Sequence, residues 1–267
     1  MYQRRTININ RVVKLLQGAA RSGASIPDLL DQCDIPRQLL DDPNGSIERD
    51  TFIKMMLLIM QQTQDEFLGF GQGRKSKPGT FSMMAHAVIN CPTLGAAVER
   101  GIRFYDLFEL SMYSRITREG DIARLVVHAD PRLDFREVII ETSLFVWLRF
   151  MSWLVGKAIE PKLVKLDYTD VRNDEEHRFL FDCPIEYSAD ESSVTFRADF
   201  LDLPLVQNEL SLSKFLKDSL TQLFNGNIHN VGLPAQIRAI ISNEYGNSFP
   251  DFTEICGKLN MTPQTLR

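Results

Sequence analysis

Hydrophobic residues in this chain repeat with a helical period in some segments and with the period of a β-strand in others. Two central segments, MYSRIT and IARLVVHA, alternate polar and apolar side chains on either side of a turn at 118–121. That alternation is typical of a β-hairpin. The stretches LVKLDYTD, PIEYSAD and SVTFRA predict further strands. The chain is therefore not all-helical.

Segments with helical periodicity surround these strands. Apolar residues recur at helical spacing over 10–30, from 46 or 48 to 62, over 135–157 and over 211–224. Two more helices are predicted after the glycine-rich stretch GFGQGRKSKPG, the second opened by Pro92-Thr93. We therefore predict an α+β fold, a mixed helical and β-strand domain.

A polar, glycine-containing stretch, NGNIHNVGLP, interrupts the pattern near the carboxyl end. Such composition is typical of a linker. We therefore predict one large domain at 1–224, a linker at 225–234 and the start of an all-α domain at 235–267.

Composition restricts the class of protein. The 267 residues are 44% hydrophobic and 24% charged, as in an ordinary globular protein. The net charge of -5 gives the whole chain no long-range attraction for nucleic acid. The apolar run at 55–60 is much shorter than the roughly 20 residues of a membrane helix. The amino terminus lacks the pattern of a signal peptide. We expect a cytoplasmic protein without a membrane segment.

The reactive side chains form no recognisable catalytic or metal-binding motif. The four cysteines are widely spaced and predict reduced thiols, and the four histidines lack the spacing of a metal pair on a helix. The glycine-rich stretch GFGQGRKSKPG does not match the spacing of a phosphate-binding loop and predicts a flexible connection. We predict no catalytic residue, no metal and no cofactor. These residues are Cys33, Cys91, Cys183, Cys256, His86, His128, His177 and His229.

The last residues carry the pattern of a helix-turn-helix. A helix is predicted at 236–245 and another at 252–259, and Asn260 then suits the left-handed backbone of a tight turn. Thr262 can cap a following helix, and Pro263 fits its first position. In such a motif the second helix enters the major groove of DNA.

The segment DFTEICGKLNMTPQTLR resembles the first helix-turn-helix of the AraC/XylS family of transcriptional activators. Asn260 departs from the family's usual turn glycine. Upstream, PTLGAAVERGIRFYDLF and FDCPIEYSADESSVTFRADFLDLPL resemble the arabinose-binding-like amino-terminal domain of a large subgroup of that family. The resemblance covers nearly the whole chain.

The resemblance implies a DNA-binding domain of two helix-turn-helix units. This sequence stops at Arg267, within the first recognition helix, so we expect a truncated chain that does not bind an operator tightly. The start of that helix supplies the predicted DNA contacts: Thr262, Gln264, Thr265 and Arg267.

Aromatic rings and hydrogen-bond donors in the large domain suggest a small-molecule pocket. Our candidate effector-binding residues are Arg103, Tyr105, Phe108, His128, Trp147 and Arg149. Arginines would suit a carboxylate ligand, whereas the many phenylalanines and methionines would suit an acyl chain. The sequence leaves that choice open.

The function predicted is a ligand-responsive bacterial transcription regulator. Its amino-terminal domain would sense a small metabolite and form a homodimer, with helix 211–224 or 135–157 at the seam. The expected partners are the effector, operator DNA through the complete parent protein, and RNA polymerase. The alternatives are a small-molecule enzyme and an effector-free oligomerisation module.

Overall fold

A small antiparallel sheet joins the amino terminus to the middle of the helical region. The computed structural model describes residues 6–70, 75–108, 110–169, 177, 180–225 and 251–258. Strands β1 (Thr6–Asn8) and β2 (Ser46–Glu48) pair with Ile7 opposite Ile47. The helix predicted to begin at 46 or 48 therefore begins at Arg49. A single buried apolar residue in each short strand is too weak a pattern to predict this pairing.

The amino-terminal helices agree with the predicted periodicity. They are α1 (Ile9–Arg21), α2 (Ile26–Gln32), a 3-10 turn (Arg37–Asp41), α3 (Arg49–Thr63), α4 (Thr80–Val88) and α5 (Leu94–Asp106). The Thr93 hydroxyl accepts a hydrogen bond from the backbone N–H of Ala96 at 3.3 Å, which confirms the predicted start of α5.

The main sheet has five strands in the order β3-β4-β7-β5-β6. All neighbouring pairs are antiparallel except β5 with β6. The predicted hairpin is present, with a two-residue turn in which Gly120 has a φ of 57°. The strands are β3 (Met112–Glu119), β4 (Ile122–Ala129), β5 (Leu163–Lys165), β6 (Ile185–Glu186) and β7 (Ser193–Arg197).

Helix α6 (Arg136–Val155) is the central helix of the domain and packs against β4 and α5. Within the part of the chain that the structure describes, it alone is long and apolar enough to cross a membrane. Most of it is buried inside the domain, which is the ordinary situation of a core helix. It ends at Gly156 in a left-handed conformation, with a φ of 63°.

The single helix predicted over 211–224 is two helices in the structure. Helix α7 (Glu209–Leu216) begins at an Asn208 capping box, and α8 (Ser219–Asn225) follows after a break at 217–218. Phe215 on α7 and Leu223 on α8 are both buried.

Helix α9 (Phe252–Lys258) confirms most of the helix predicted at 252–259. Its first turn is closed by Asp251 and Glu254, each of which accepts a hydrogen bond from the other's backbone N–H. The helix predicted at 236–245, the linker beyond Asn225 and the four predicted DNA contacts all lie outside the described residues.

Candidate functional site

A cavity of about 380 Å³ lies between the helices and the first strand of the main sheet. Its volume falls in the range of small-molecule binding sites. The wall is mostly apolar and comes from α3, α4, α5, β3, α6 and α8, through residues such as Met60, Met84, Ile102, Met112, Val146 and Leu220. These elements are far apart in the sequence, so the cavity exists only in the folded domain.

Two of the six predicted effector-binding residues line this cavity. They are Tyr105 on α5 and Trp147 on α6, whose ring centroids are 6.4 Å apart in an edge-on arrangement. The sequence predicts both residues as aromatic surfaces for a ligand, and the structure brings them together.

The other four predicted residues are outside the lining of the cavity. Arg103 is exposed and pairs with Glu99. His128 stacks on Tyr113 across the β3–β4 pair, with ring centroids 4.9 Å apart. Phe108 is 43% exposed, and Arg149 faces the end of α8.

The polar end of the cavity is built around Glu66. Its Oε1 accepts a hydrogen bond from the backbone N–H of Gly79 at 2.7 Å. Its Oε2 accepts one from the N–H of Phe81 at 2.9 Å and one from the Ser76 hydroxyl at 3.3 Å. Burial raises the pKa of Glu66, and these hydrogen bonds offset part of the rise. The carboxyl is thus both a structural acceptor and a polar group of the cavity.

Tyr105 is the second polar group at this end. Burial raises the pKa of its hydroxyl above the ordinary value, and the nearby Glu66 carboxyl raises it further. Among the residues that the structure describes, none forms a hydrogen bond with this hydroxyl. A buried tyrosine hydroxyl usually has a partner, so Tyr105 offers an unused donor to the cavity.

The glycine-rich stretch, described at 69–70 and 75–79, is fixed by two adjacent carboxylates. Asp65 is buried and accepts hydrogen bonds from the backbone N–H groups of Phe67, Gly69 and Ser76. Glu66 accepts those of Gly79 and Phe81. These described N–H groups are therefore bonded to protein carboxylates and are not available to bind a phosphate.

Two arginines hold the end of α8, the helix that closes one side of the cavity. Arg149 on α6 donates to the carbonyl oxygen of Leu223, and Arg49 on α3 donates to that of Phe224 at 3.4 Å. Burial, together with the positive charge of Arg49, lowers the pKa of Arg149 to about 10. Cations at the carboxyl end of a helix are favourable, because unsatisfied carbonyl groups carry partial negative charge there.

A buried polar network lies beside the cavity and was missed by the sequence prediction. The Oε1 atom of Glu141 accepts from the Tyr168 hydroxyl at 2.8 Å and lies 3.0 Å from Nε2 of His177. Its Oε2 atom is 3.5 Å from Arg11. Glu141 is buried within α6, although acidic residues mostly lie on protein surfaces. A lone acid inside a long apolar helix was the signal that could have revealed it.

Metal and thiol chemistry are not part of the described site. In the described ranges, no group of three or more histidine, cysteine or acidic residues is placed to hold a metal ion. The four cysteines are unpaired, and burial raises the pKa of the Cys183 thiol to about 11.

Comparison with known proteins gives the family. A model described as the arabinose-binding domain of AraC transcription regulators, amino-terminal part, matches residues 23–205. An ornithine utilization regulator of Pseudomonas aeruginosa is 19% identical, covering 95% of this chain and 75% of the relative. An uncharacterised HTH-type transcriptional regulator of Mycobacterium tuberculosis is 24% identical with the same coverage. The crystal structure of the transcriptional regulator CdpR from Pseudomonas aeruginosa aligns with 98% of this chain and 78% of its own, at 12% identity and a TM-score of 0.40.

The family model that matches residues 23–205 covers more than half of the chain and most of the wall of the cavity. The described helices and the mixed sheet confirm the predicted α+β class. The chain belongs to the AraC family of transcription regulators and is a ligand-responsive regulator of transcription.

Proposed function

We propose that the cavity binds the effector and that its occupancy controls DNA binding through α8. The observation that carries this proposal is the double role of α8. Leu220, Leu223 and Phe224 form part of the wall, and the helix ends at Asn225, directly before the segment that leads to the predicted helix-turn-helix. A ligand in the cavity contacts the last helix of the domain.

A ligand shifts the equilibrium between two positions of α8 only if it binds the domain more tightly in one position than in the other. The apolar face of α8 supplies that difference, because filling the cavity adds contacts to Leu220 and Leu223. The hydrogen bonds of Arg49 and Arg149 to the last turn give the empty domain a defined starting position. The regulated output is the arrangement of the DNA-binding segment.

A homodimer completes the proposal, since a symmetric dimer matches two operator half-sites. Of the two helices predicted at the dimer seam, α6 is largely buried, whereas α7 exposes Leu210 at 68%. Helix α7 is therefore the better candidate for the seam. Operator DNA, bound through the complete parent protein, and RNA polymerase are the proposed macromolecular partners, which places the protein in the cytoplasm.

Binding without turnover is proposed because of the side chains in the wall. Among the described residues of the cavity wall, Glu66 is the only carboxylic acid and there is no histidine, lysine or arginine, and backbone N–H groups donate hydrogen bonds to the Glu66 oxygens. Among the described residues, no serine of the wall forms a hydrogen bond with a histidine or lysine that could act as a general base. The cavity thus lacks an activated nucleophile.

The name of one relative points to ornithine, a strongly polar amino acid. The mostly apolar wall of this cavity favours a different and less polar effector.

Thermal unfolding of the chain against a panel of metabolites tests the proposal. A ligand at about a hundred times its dissociation constant adds roughly 2.7 kcal/mol to native-state stability, which is a shift of several degrees. Val146→Phe, which fills the cavity, should abolish the shift, and sedimentation should show whether the ligand changes the oligomer. Leu107→Phe, at an exposed position outside the lining of the cavity and outside the proposed seam, is the matched control and should keep the shift.

Each other outcome favours an alternative. Flat melting curves across the panel, with a stable oligomer, would favour an effector-free oligomerisation module. Turnover of a panel compound would favour an enzyme. A full shift retained by Val146→Phe would show that the ligand binds elsewhere.

A further inference from the structure

We infer that the effector is an uncharged, largely apolar molecule with a hydroxyl group, and not a carboxylate. This inference rests on the proposed function, because it names the ligand class of the same cavity. It follows from the charge of the wall and from the hydrogen-bonding groups at its polar end.

The charge of the described wall argues against a carboxylate. In the described part of the wall, Glu66 is the only acidic residue and there is no lysine, arginine or histidine. A ligand carboxylate would lose its hydration and meet no cation, and that loss is costly in an apolar site. It would also lie in the same enclosed space as the Glu66 carboxyl. The arginine-lined pocket that would suit an acid is therefore not the pocket that the described residues form.

The two arginines nearest the cavity do not change this result. Arg49 and Arg149 donate to carbonyl oxygens at the end of α8. Neither residue lines the cavity. Their charge thus serves the helix that closes the cavity.

The polar end has one free donor and one partly used acceptor. The Tyr105 hydroxyl has no described partner, and burial with the Glu66 charge keeps it protonated by raising its pKa. Among the described residues, Oε1 of Glu66 accepts only the N–H of Gly79, so a second lone pair is available there, whereas Oε2 already accepts two hydrogen bonds.

A hydroxyl group satisfies both atoms. It can donate to Oε1 of Glu66 and accept from the Tyr105 hydroxyl at the same time. An ammonium group only donates and leaves the Tyr105 proton without an acceptor. An apolar molecule with no polar group would leave both atoms unpaired. The apolar walls then bury the rest of the ligand, which supplies most of the binding free energy.

Calorimetric titration with octanol, octylamine and octanoate tests this inference, because the three compounds share one alkyl chain and differ in the head group. We expect octanol to bind most tightly and octanoate to bind weakest at neutral pH. The Tyr105→Phe variant should weaken octanol binding roughly two- to tenfold, the effect of one neutral hydrogen bond. Tyr168→Phe, which removes a hydroxyl outside the cavity, is the control and should bind octanol as the parent does.

A second variant separates charge from hydrogen bonding. Glu66→Gln removes the negative charge and keeps an acceptor oxygen, so octanoate binding should improve relative to octanol. Octanoate or octylamine binding as tightly as octanol in the parent chain would overturn the ligand class while leaving the cavity as the effector site. If no octyl compound binds, the inference is wrong, and the metabolite panel then decides the proposed function separately.

Discussion

Arg149 on α6 donates a hydrogen bond from Nε to the carbonyl oxygen of Leu223 on α8, at 3.1 Å. Arg49 on α3 reaches the next carbonyl oxygen, that of Phe224. Two like charges at one helix end repel each other, and burial adds to the cost of both. The carbonyl oxygens of α8 offset that cost, so the arginines and the helix end depend on each other.

Arg149→Met should lower the free energy of unfolding by about 1–3 kcal/mol, because it removes a hydrogen bond from a charged donor. The substitution also removes the charge repulsion between Arg149 and Arg49, which reduces the loss of free energy of unfolding. Urea unfolding measures the difference. Arg103→Met is the control, since Arg103 is exposed and its pair with Glu99 lies on the surface; its effect should stay within about 0.5 kcal/mol. Equal effects of the two substitutions would contradict a role for Arg149 at α8.

Glu141→Gln should change the dependence of stability on acid pH. Burial opposes ionisation of Glu141, but the hydrogen bond from His177, the charge of Arg11 and the Tyr168 hydroxyl outweigh it and lower its pKa. A lowered pKa stabilises the fold above the unfolded value, about 4.3, and that contribution is lost as pH falls through the folded pKa. The parent should therefore lose stability relative to the variant as the solution is acidified, as measured by urea unfolding at a series of pH values. A difference that stays constant with pH would disprove the assignment.

Glu66→Gln should show the opposite dependence. Burial raises the pKa of Glu66, and the backbone N–H groups of Phe81 and Gly79 offset this only in part. A raised carboxyl pKa gives a contribution that is complete below the unfolded pKa and is lost as pH rises through the folded value. From acid toward neutral pH, the parent should lose stability relative to Glu66→Gln. Asp65 is present in both chains, and its negative charge is one of the causes that raise the pKa of Glu66. Parallel curves for the two chains would refute the prediction.

Gly101→Ala should disturb the cavity through Trp147. A Cβ at Gly101 would lie 2.8 Å from Cη2 of Trp147 and 3.2 Å from Sδ of Met84, so the indole must move. Overpacking costs about 1–3 kcal/mol, which exceeds the roughly 1 kcal/mol that alanine gains over glycine in a helix. We expect lower stability and a smaller ligand-induced shift in melting temperature. Among the described residues, no atom lies within 4 Å of a Cβ added at Gly257 on α9, so Gly257→Ala should be neutral or stabilising. The interpretation fails if Gly101→Ala keeps the parent's ligand response.

The sequence predicted the elements that carry their own periodicity. The β3–β4 hairpin alternates over 8 residues in each strand, and α6 is 20 residues long, so both patterns are strong. Strands β1 and β2 were missed because each is 3 residues long and depends on a partner far away in the sequence. The break between α7 and α8 was missed because apolar spacing continues across it.

The candidate site was predictable only where a residue type was informative by itself. Tyr105 and Trp147 stand out as large aromatic residues on helices, and both line the cavity. Glu66 lies in a short polar stretch that looks solvent-exposed in the sequence. Its burial arises because the chain at 75–81 folds back onto it, and no local pattern encodes that contact. The arginines were less informative, since Arg149 donates to the carbonyl oxygen of Leu223 and lies outside the described lining of the cavity.

The arginines that hold the last turn of α8 come from α3 and α6, and these two helices also form walls of the cavity. The length of each arginine side chain limits how far α8 can move before a hydrogen bond is lost. A ligand that pushes α3 and α6 apart draws one guanidinium group away from its carbonyl oxygen. A ligand that fits between these helices leaves both hydrogen bonds in place. The width of the cavity is therefore coupled to the hydrogen bonds that hold residues 223–224. The chain that continues from Asn225 begins directly after these two residues.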